Sequence, residues 1–509
     1  MFKLVNKHKL LIASLLALIP LYFIVLNFYL NRLGAFGCFD DCNNFVRGYF
    51  VLKGKILFSE VFSGHMPLMS YLSTVIQKFT SPDSIYHLLL YHTLFLFILT
   101  ILSGVILIFR FKWVGLAFVL LYESFNIYLF GDRFLAEGVI VYPIVYLAGL
   151  FWEKIQKRKI YKMEYALTGV IAWLVVFMRE PYIPLILFLF FLILWGEDHR
   201  REKIISIAIF LSLTFMFVLI HPINEFIFNV FTMNFQNIST EFNETGTRGL
   251  GFFKIFLYPF VVLFKAKWND VWLVINVLVF ILIILSAKFF RVKKTSIFVI
   301  FLILSLASIR FVEPGTVFYS AYHILIWYGL LIMFVFLLLR DIDSEKLRKL
   351  FLFILGMSFF ITLFPPNILW EKTDTIKEIN DGYANYSINA RIIRVLADKN
   401  STLFIDGGDD LIYWRADLKP AYKYSWYTSL MPYFKIYTDA RIEMFKKYSP
   451  DFYYGNCRKG YFLPDFVKDS YQNIKKLNGD KSCLYVKKDI VQQISEDKIR
   501  EINKLEYKL

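Results

Sequence analysis

Long apolar runs separated by short polar turns occupy the chain as far as the Pro365-Pro366 pair, and beyond it charged residues recur regularly to the end. A helix that crosses a hydrocarbon core needs about 20 mostly apolar residues. On that measure the first part predicts eleven spans, at 10–30, 85–109, 114–130, 138–152, 165–178, 184–195, 204–220, 271–285, 296–309, 318–339 and 351–364, with the fifth and sixth short. Two connections are long. In 31–84, Phe45, Tyr49 and Leu52 fall at helical spacing and a second amphipathic run covers 69–79, which predicts helices lying along the lipid boundary. In 221–270 the polar middle carries Gly246, Gly249 and Gly251, and it reads either as a lid over a lipid-bound substrate or as a passive linker. The apolar 252–264 run is read as re-entrant or interfacial, because a further span there would put the basic 288–294 turn on the wrong side.

After position 365 the pattern shortens. Runs at 402–405, 411–414, 451–454 and 483–486 read as strands, and 375–396 and 438–448 have helical periodicity. The expected architecture is a polytopic α-helical membrane protein of about eleven spans, residues 1–365 with outer loops 31–84 and 221–270, followed by a soluble α/β domain, 366–509. Gly407-Gly408 follows the first strand without a Walker or GxGxxG pattern and reads as a plain turn.

Charge sets the orientation. Lys3, Lys7 and Lys9 precede the first span, and alternate turns carry basic clusters such as Lys154, Lys157, Arg158, Lys159 and Lys162, whereas the intervening short turns carry one basic residue each, Arg133, Arg179 and Arg310. The positive-inside rule then places the N-terminus in the cytoplasm and the C-terminal domain on the opposite side of the membrane. The formal charge of +16 is dispersed among these turns, so it suits anionic lipid and excludes a nucleic-acid partner, and 57% hydrophobic residues exclude an ordinary soluble enzyme.

All four cysteines, Cys38, Cys42, Cys457 and Cys483, fall in regions placed outside, where bonds within each pair and free thiols are both open. On a helix, Cys38 and Cys42 would share a face yet lie too far apart for a relaxed bridge, so a bond there requires an irregular backbone.

The outer side also gathers the reactive side chains. Asp40 and Asp41 are adjacent and so point in different directions, which assigns one to the reaction and the other to its support, or both to capping a helix. A carboxylate at a lipid boundary, raised in pKa by partial desolvation, suits a general base. Arg133 offers a planar fork for a phosphate, or snorkels to the interface. Arg179 is a second phosphate candidate or the partner of Glu180 or Glu137, and His65 and Glu60 lie further along the first loop. No HExxH or paired CxxC spacing supports a metal; a divalent ion among Asp40, Asp41, Glu60 and His65 is the weaker alternative to metal-free chemistry, and no cofactor is expected.

The segment Phe39-Asp40-Asp41, Gly54, Glu60 and His65-Met66-Pro67-Leu68 resembles the first outer loop of the GT-C superfamily of polyprenyl-phosphate-sugar glycosyltransferases, in its protein O-mannosyltransferase and aminoarabinose transferase branch. Asp41 stands where that family has Glu, and Met66 where it has the first Pro. Asn126 and the run Asp132 to Glu137 are similar to the family's Asn and arginine-acid segment, one residue shorter. The resemblance covers the first third of the chain. It implies a GT-C-like fold and transfer of a sugar from a polyprenyl-phosphate carrier to a lipid, polysaccharide or protein acceptor, inverting the anomeric centre. Asp40 or Asp41 would be the base, and Arg133, Glu137, Arg179, His65 and Glu60 would hold the donor. The competing readings are a lipid-linked sugar transporter or flippase, and a polysaccharide polymerase or ligase using diphosphate-linked glycans.

Overall fold

The structure, a computed structural model, describes residues 2–35, 37–38, 40–196, 198–234, 270–309, 318–363, 375–406, 411–421, 435–455 and 465–509. Phe39, the glycine-bearing middle of 221–270, the apolar 252–264 run, Arg310, Gly407-Gly408 and Cys457 lie outside them.

All eleven expected spans fall on helical segments. In chain order these are Phe2–Asn31, Ile85–Phe111, Trp113–Phe125 with its short extension Asn126–Leu129, Ala136–Ile155, Lys162–Met178, Ile183–Leu194, Arg200–Leu219, Asp270–Ala307, Phe318–Ile324 running into Leu325–Asp341, and Glu345–Leu363. Asp270–Ala307 carries two of them, broken at Lys293 (φ −136°, ψ 52°) inside the basic run expected to turn. Among the described residues, five helices are long and apolar enough by themselves to cross a membrane. The chain is a multi-pass helical membrane protein.

It forms two compact units, one built from 1–33, 92–218 and 242–374, the other from 34–91, 219–241 and 375–509. In the first unit Leu325–Asp341 is buried along its whole apolar length, whereas Arg200–Leu219 buries only Lys203 and Ser206. The apolar composition of both is therefore read differently: one helix is the core and the other a lipid-facing wall. Small residues permit the close packing: a Cβ on Gly329 would come within 2.6 Å of Val141, on the Ala136–Ile155 helix. At the basic end of these helices Arg158 binds Asp341 at 2.6 Å, Arg340 binds Glu153 at 2.6 Å, and Arg110 pairs with Glu164, so several of the turn cations have carboxylate partners.

The second unit joins the first long connection to the C-terminal segment. Its six-stranded sheet has the order β2-β1-β3-β5-β4-β6, with β1 Thr402–Asp406, β2 Lys419–Pro420, β3 Phe452–Gly455, β4 Tyr471–Lys476, β5 Lys481–Lys487 and β6 Tyr507–Lys508. β1 pairs in parallel with β2 and β3, and the remaining pairs are antiparallel. β3 is buried on both faces, which is why it reads as a continuous aromatic run, while β5 alternates, turning Ser482, Leu484 and Val486 inward. The expected helices at 375–396 and 438–448 are Thr375–Leu396 and Lys435–Lys447. The 411–414 run, expected as a strand, is instead the start of the helix Leu411–Ala416. Leu411, Ile412, Tyr413 and Trp414 are all buried, and a short apolar run buried on every side carries no period by which helix and strand can be told apart. Phe62 and Met233 pack into one apolar cluster with Phe404, Met444, Tyr453 and Tyr471, so both outer connections contribute to the core of this unit.

Candidate functional site

In the second unit the helix Asp40–Leu52 starts on the acidic pair, and both carboxylates stand in its first turn, where the helix dipole favours negative charge. Successive residues on a helix diverge by about 100°, and the consequence is visible: Asp41 is 1% exposed while Asp40 is half-buried. One Asp41 oxygen accepts the backbone N–H of Cys42 at 2.9 Å.

A disulfide joins Cys38 to Cys42, with the Cα atoms 5.6 Å apart. The irregular backbone that such a bond requires is present, because Cys38 precedes the helix and only Cys42 lies on it. Both acids therefore sit inside the covalent ring. Cys483 is also disulfide-bonded.

The helix packs against Leu68–Thr80, which begins directly after Pro67 as the sequence implied. Gly48 lies at the crossing, where a Cβ would come within 2.7 Å of Ser73, and Thr74 donates to the Gly48 carbonyl at 3.1 Å. Between the two helices Glu60 closes a turn, accepting from Lys55 Nζ at 3.1 Å and from the Ile56 N–H at 2.8 Å. Partial burial opposes its ionisation, but the Ile56 N–H and the Lys55 ammonium outweigh that and hold Glu60 below its ordinary value. His65 is half-buried, and its carbonyl accepts from Ser63 Oγ at 2.9 Å, while the neighbouring Gly64 carbonyl accepts from Asn234 at 2.6 Å. A pair that sequence reasoning missed stands close by: the Tyr71 hydroxyl and His221 Nε2 are 2.8 Å apart, with Phe58 and Phe226 around the imidazole, and burial pushes Tyr71 up to about 12. The signal available was the lone His221-Pro222 step at the end of a span.

In the first unit Glu137 occupies the first turn of Ala136–Ile155, and its Oε1 accepts from Arg179 Nε at 3.0 Å. Both side chains are buried, so this is the ion-pair alternative for Arg179 realised. Arg133 is buried in the turn between Phe130, whose φ of 57° reverses the chain, and Leu135, which donates its N–H to the Arg133 carbonyl at 2.7 Å. Next to it Asp132 is buried, with Oδ1 lacking a hydrogen-bond partner among the described residues. Deeper in the unit, Glu123 is fully buried, accepting from Asn126 Nδ2 at 3.0 Å and from the Tyr142 hydroxyl. Asn126 also donates to the Tyr29 hydroxyl at 3.1 Å.

Among the described residues no group of three or more His, Cys, Asp and Glu side chains gathers to hold a metal ion. In the second unit the half-buried Asp40 carboxylate is of a kind suited to acid–base chemistry.

No family model and no curated protein matches the chain. Among solved structures it is similar to the crystal structure of the Archaeoglobus fulgidus oligosaccharyltransferase in complex with Zn and sulfate, at 12% identity and a TM-score of 0.48, over 94% of this chain and 73% of that one.

Proposed function

We propose that the protein is a membrane glycosyltransferase of GT-C type that moves a sugar from a polyprenyl-phosphate carrier to a hydroxyl of a lipid, polysaccharide or protein acceptor. The observation that carries this reading is the acidic first turn of Asp40–Leu52: two carboxylates in a disulfide-closed ring, one buried and one half-exposed. Asp40 is the group able to receive a proton from an incoming hydroxyl, and Asp41, held by the Cys42 N–H, is its support. In-line attack of the acceptor oxygen on the anomeric carbon forms one C–O bond as the C–O bond to phosphate breaks. The proton passes to Asp40, the phosphate leaves as an anion, and the anomeric centre inverts. The departing anion calls for a cation, a part this reading gives to arginine.

This reading places the chemistry on the non-cytoplasmic face of a bacterial plasma membrane, with 366–509 as an extracytoplasmic domain. The Cys38–Cys42 bond supports that side, since disulfides persist in oxidising compartments. The test is transfer from synthetic polyprenyl-phosphate sugars by the full chain in lipid nanodiscs. Asp40→Asn and Asp41→Asn proteins that both transfer at the wild-type rate would remove the mechanism.

Glu123 favours a second reading, a carrier of lipid-linked sugar, because an acid buried among spanning helices is a hallmark of transport pathways. Movement of labelled lipid across liposomes without sugar transfer would favour it.

A further inference from the structure

The acid-bearing helix is held at both ends, at its start by the disulfide and at its far end by residues from a distant part of the sequence. The Tyr49 hydroxyl donates to Asp417 Oδ1 at 2.5 Å, and the Lys53 ammonium lies 2.8 Å from the same oxygen. Asp417 follows the last turn of Leu411–Ala416 in the left-handed conformation (φ 57°), its N–H donating to the Tyr413 carbonyl at 3.0 Å. That position after a helix is usually given to Gly or Asn. Here an acidic side chain occupies it and reaches the neighbouring helix.

A second, buried link runs beside the first. Gln77 donates to the Phe45 carbonyl at 2.8 Å and to Ser73 Oγ at 3.0 Å, and its own carbonyl oxygen accepts from Trp414 Nε1 at 3.0 Å. The rings of Phe50 and Tyr413 meet edge to face at 5.2 Å, and the Tyr413 hydroxyl accepts the Ile405 N–H at 2.9 Å. The strand β1 is thus wired through Leu411–Asp417 to the helix that begins with Asp40 and Asp41. The lever is steep: 13 residues rise about 20 Å, so a tilt of about 3° about the far end moves the acids by about 1 Å, a displacement able to cost about 100-fold in rate.

We propose that Asp417 is a positioning residue: through Tyr49 and Lys53, and with Trp414 acting through Gln77, the segment Leu411–Asp417 sets the angle of the acid-bearing helix. The inference rests on the transferase reading above. Full-length protein in nanodiscs is compared as wild type, Asp417→Ala, Asp417→Asn and Tyr49→Phe. Asp417→Ala and Tyr49→Phe are expected to lower kcat per folded molecule roughly 10- to 100-fold with the donor KM within about 3-fold. Asp417→Asn, which keeps an acceptor for Tyr49 and tolerates the left-handed backbone, is expected to recover most of that loss. Hydrogen exchange of the 44–50 amides should quicken in Asp417→Ala and stay near wild type in Asp417→Asn. Unchanged exchange, or unchanged kcat per folded molecule in Asp417→Ala, overturns the positioning role. Wild-type protein that transfers no sugar overturns the transferase reading, and the exchange comparison still decides whether Asp417 holds the helix.

Discussion

The helices Ala136–Ile155 and Asp40–Leu52 both carry carboxylates in their first turns, and they hold them in opposite ways. Glu137, in the first turn of Ala136–Ile155, is sealed from solvent and bound by a buried arginine at 3.0 Å. Asp40, in the first turn of Asp40–Leu52, keeps part of its surface, and its neighbour Asp41 takes the buried place. The helix dipole favours negative charge at both positions, so it does not separate them. Access does: on the proposed transferase reading Asp40 takes a proton and later releases it, so it has to meet a changing partner, whereas a buried pair is stable only while it stays whole.

The comparison breaks most visibly at Asp40. Its Asn variant is expected to fold, to bind donor and to lose about 10²- to 10⁴-fold in transfer rate, read by single-turnover transfer from a labelled donor. At the sealed pair the loss is of stability. Arg179→Met leaves Glu137 buried without its cation and should destabilise the protein by about 3–5 kcal/mol, read as a fall in the melting midpoint in detergent. The double variant Glu137→Gln/Arg179→Met should regain a large part of it, and failure to do so would show that the arginine has a further task.

Acid should act on the second unit more gently. Burial alone would raise Asp417, but the hydrogen bonds from Lys53 and Tyr49 outweigh it and hold the carboxyl below its ordinary value. A depressed folded value means that the stabilising contribution is complete above the ordinary aspartate range and is lost as pH falls from about 4 through the lowered value. The effect is small because Asp417 is largely exposed and solvent screens the pair. Trp414 fluorescence followed between pH 6 and pH 3 should shift in wild type and much less in Asp417→Asn. Smallest of all is Glu60→Gln, a partly exposed turn contact, where a loss of a few tenths of a kcal/mol is expected in chemical denaturation.

Apolar length made the membrane-spanning part legible. Every expected span lies on a helix, since apolar length is a local property. The amphipathic helices of the first loop were equally readable, from Phe45, Tyr49 and the 69–79 run. Local period failed at Leu411-Ile412-Tyr413-Trp414, where burial on all sides erases it. The ion pair of Glu137 with Arg179 was one of two pairings open to that arginine, and packing chose between them. What no local pattern could show was the grouping of 34–91 with 219–241 and 375–509, because Tyr49 and Asp417 are 368 residues apart. Gln77 and Trp414, 337 residues apart, carry no sequence mark of their pairing either.

That separation has a consequence for biosynthesis. A ribosome working at about 5–20 residues per second delivers Asp417 roughly 20 to 70 s after Tyr49, given the 368 positions between them. Throughout that interval the newborn helix must wait with its eventual docking face uncovered, exposed to proteases and to adhesion with other nascent chains. Termination just before Leu411 would make the wait permanent, so nonsense alleles at that point in the gene should be cleared from the membrane even though every expected span has already been made.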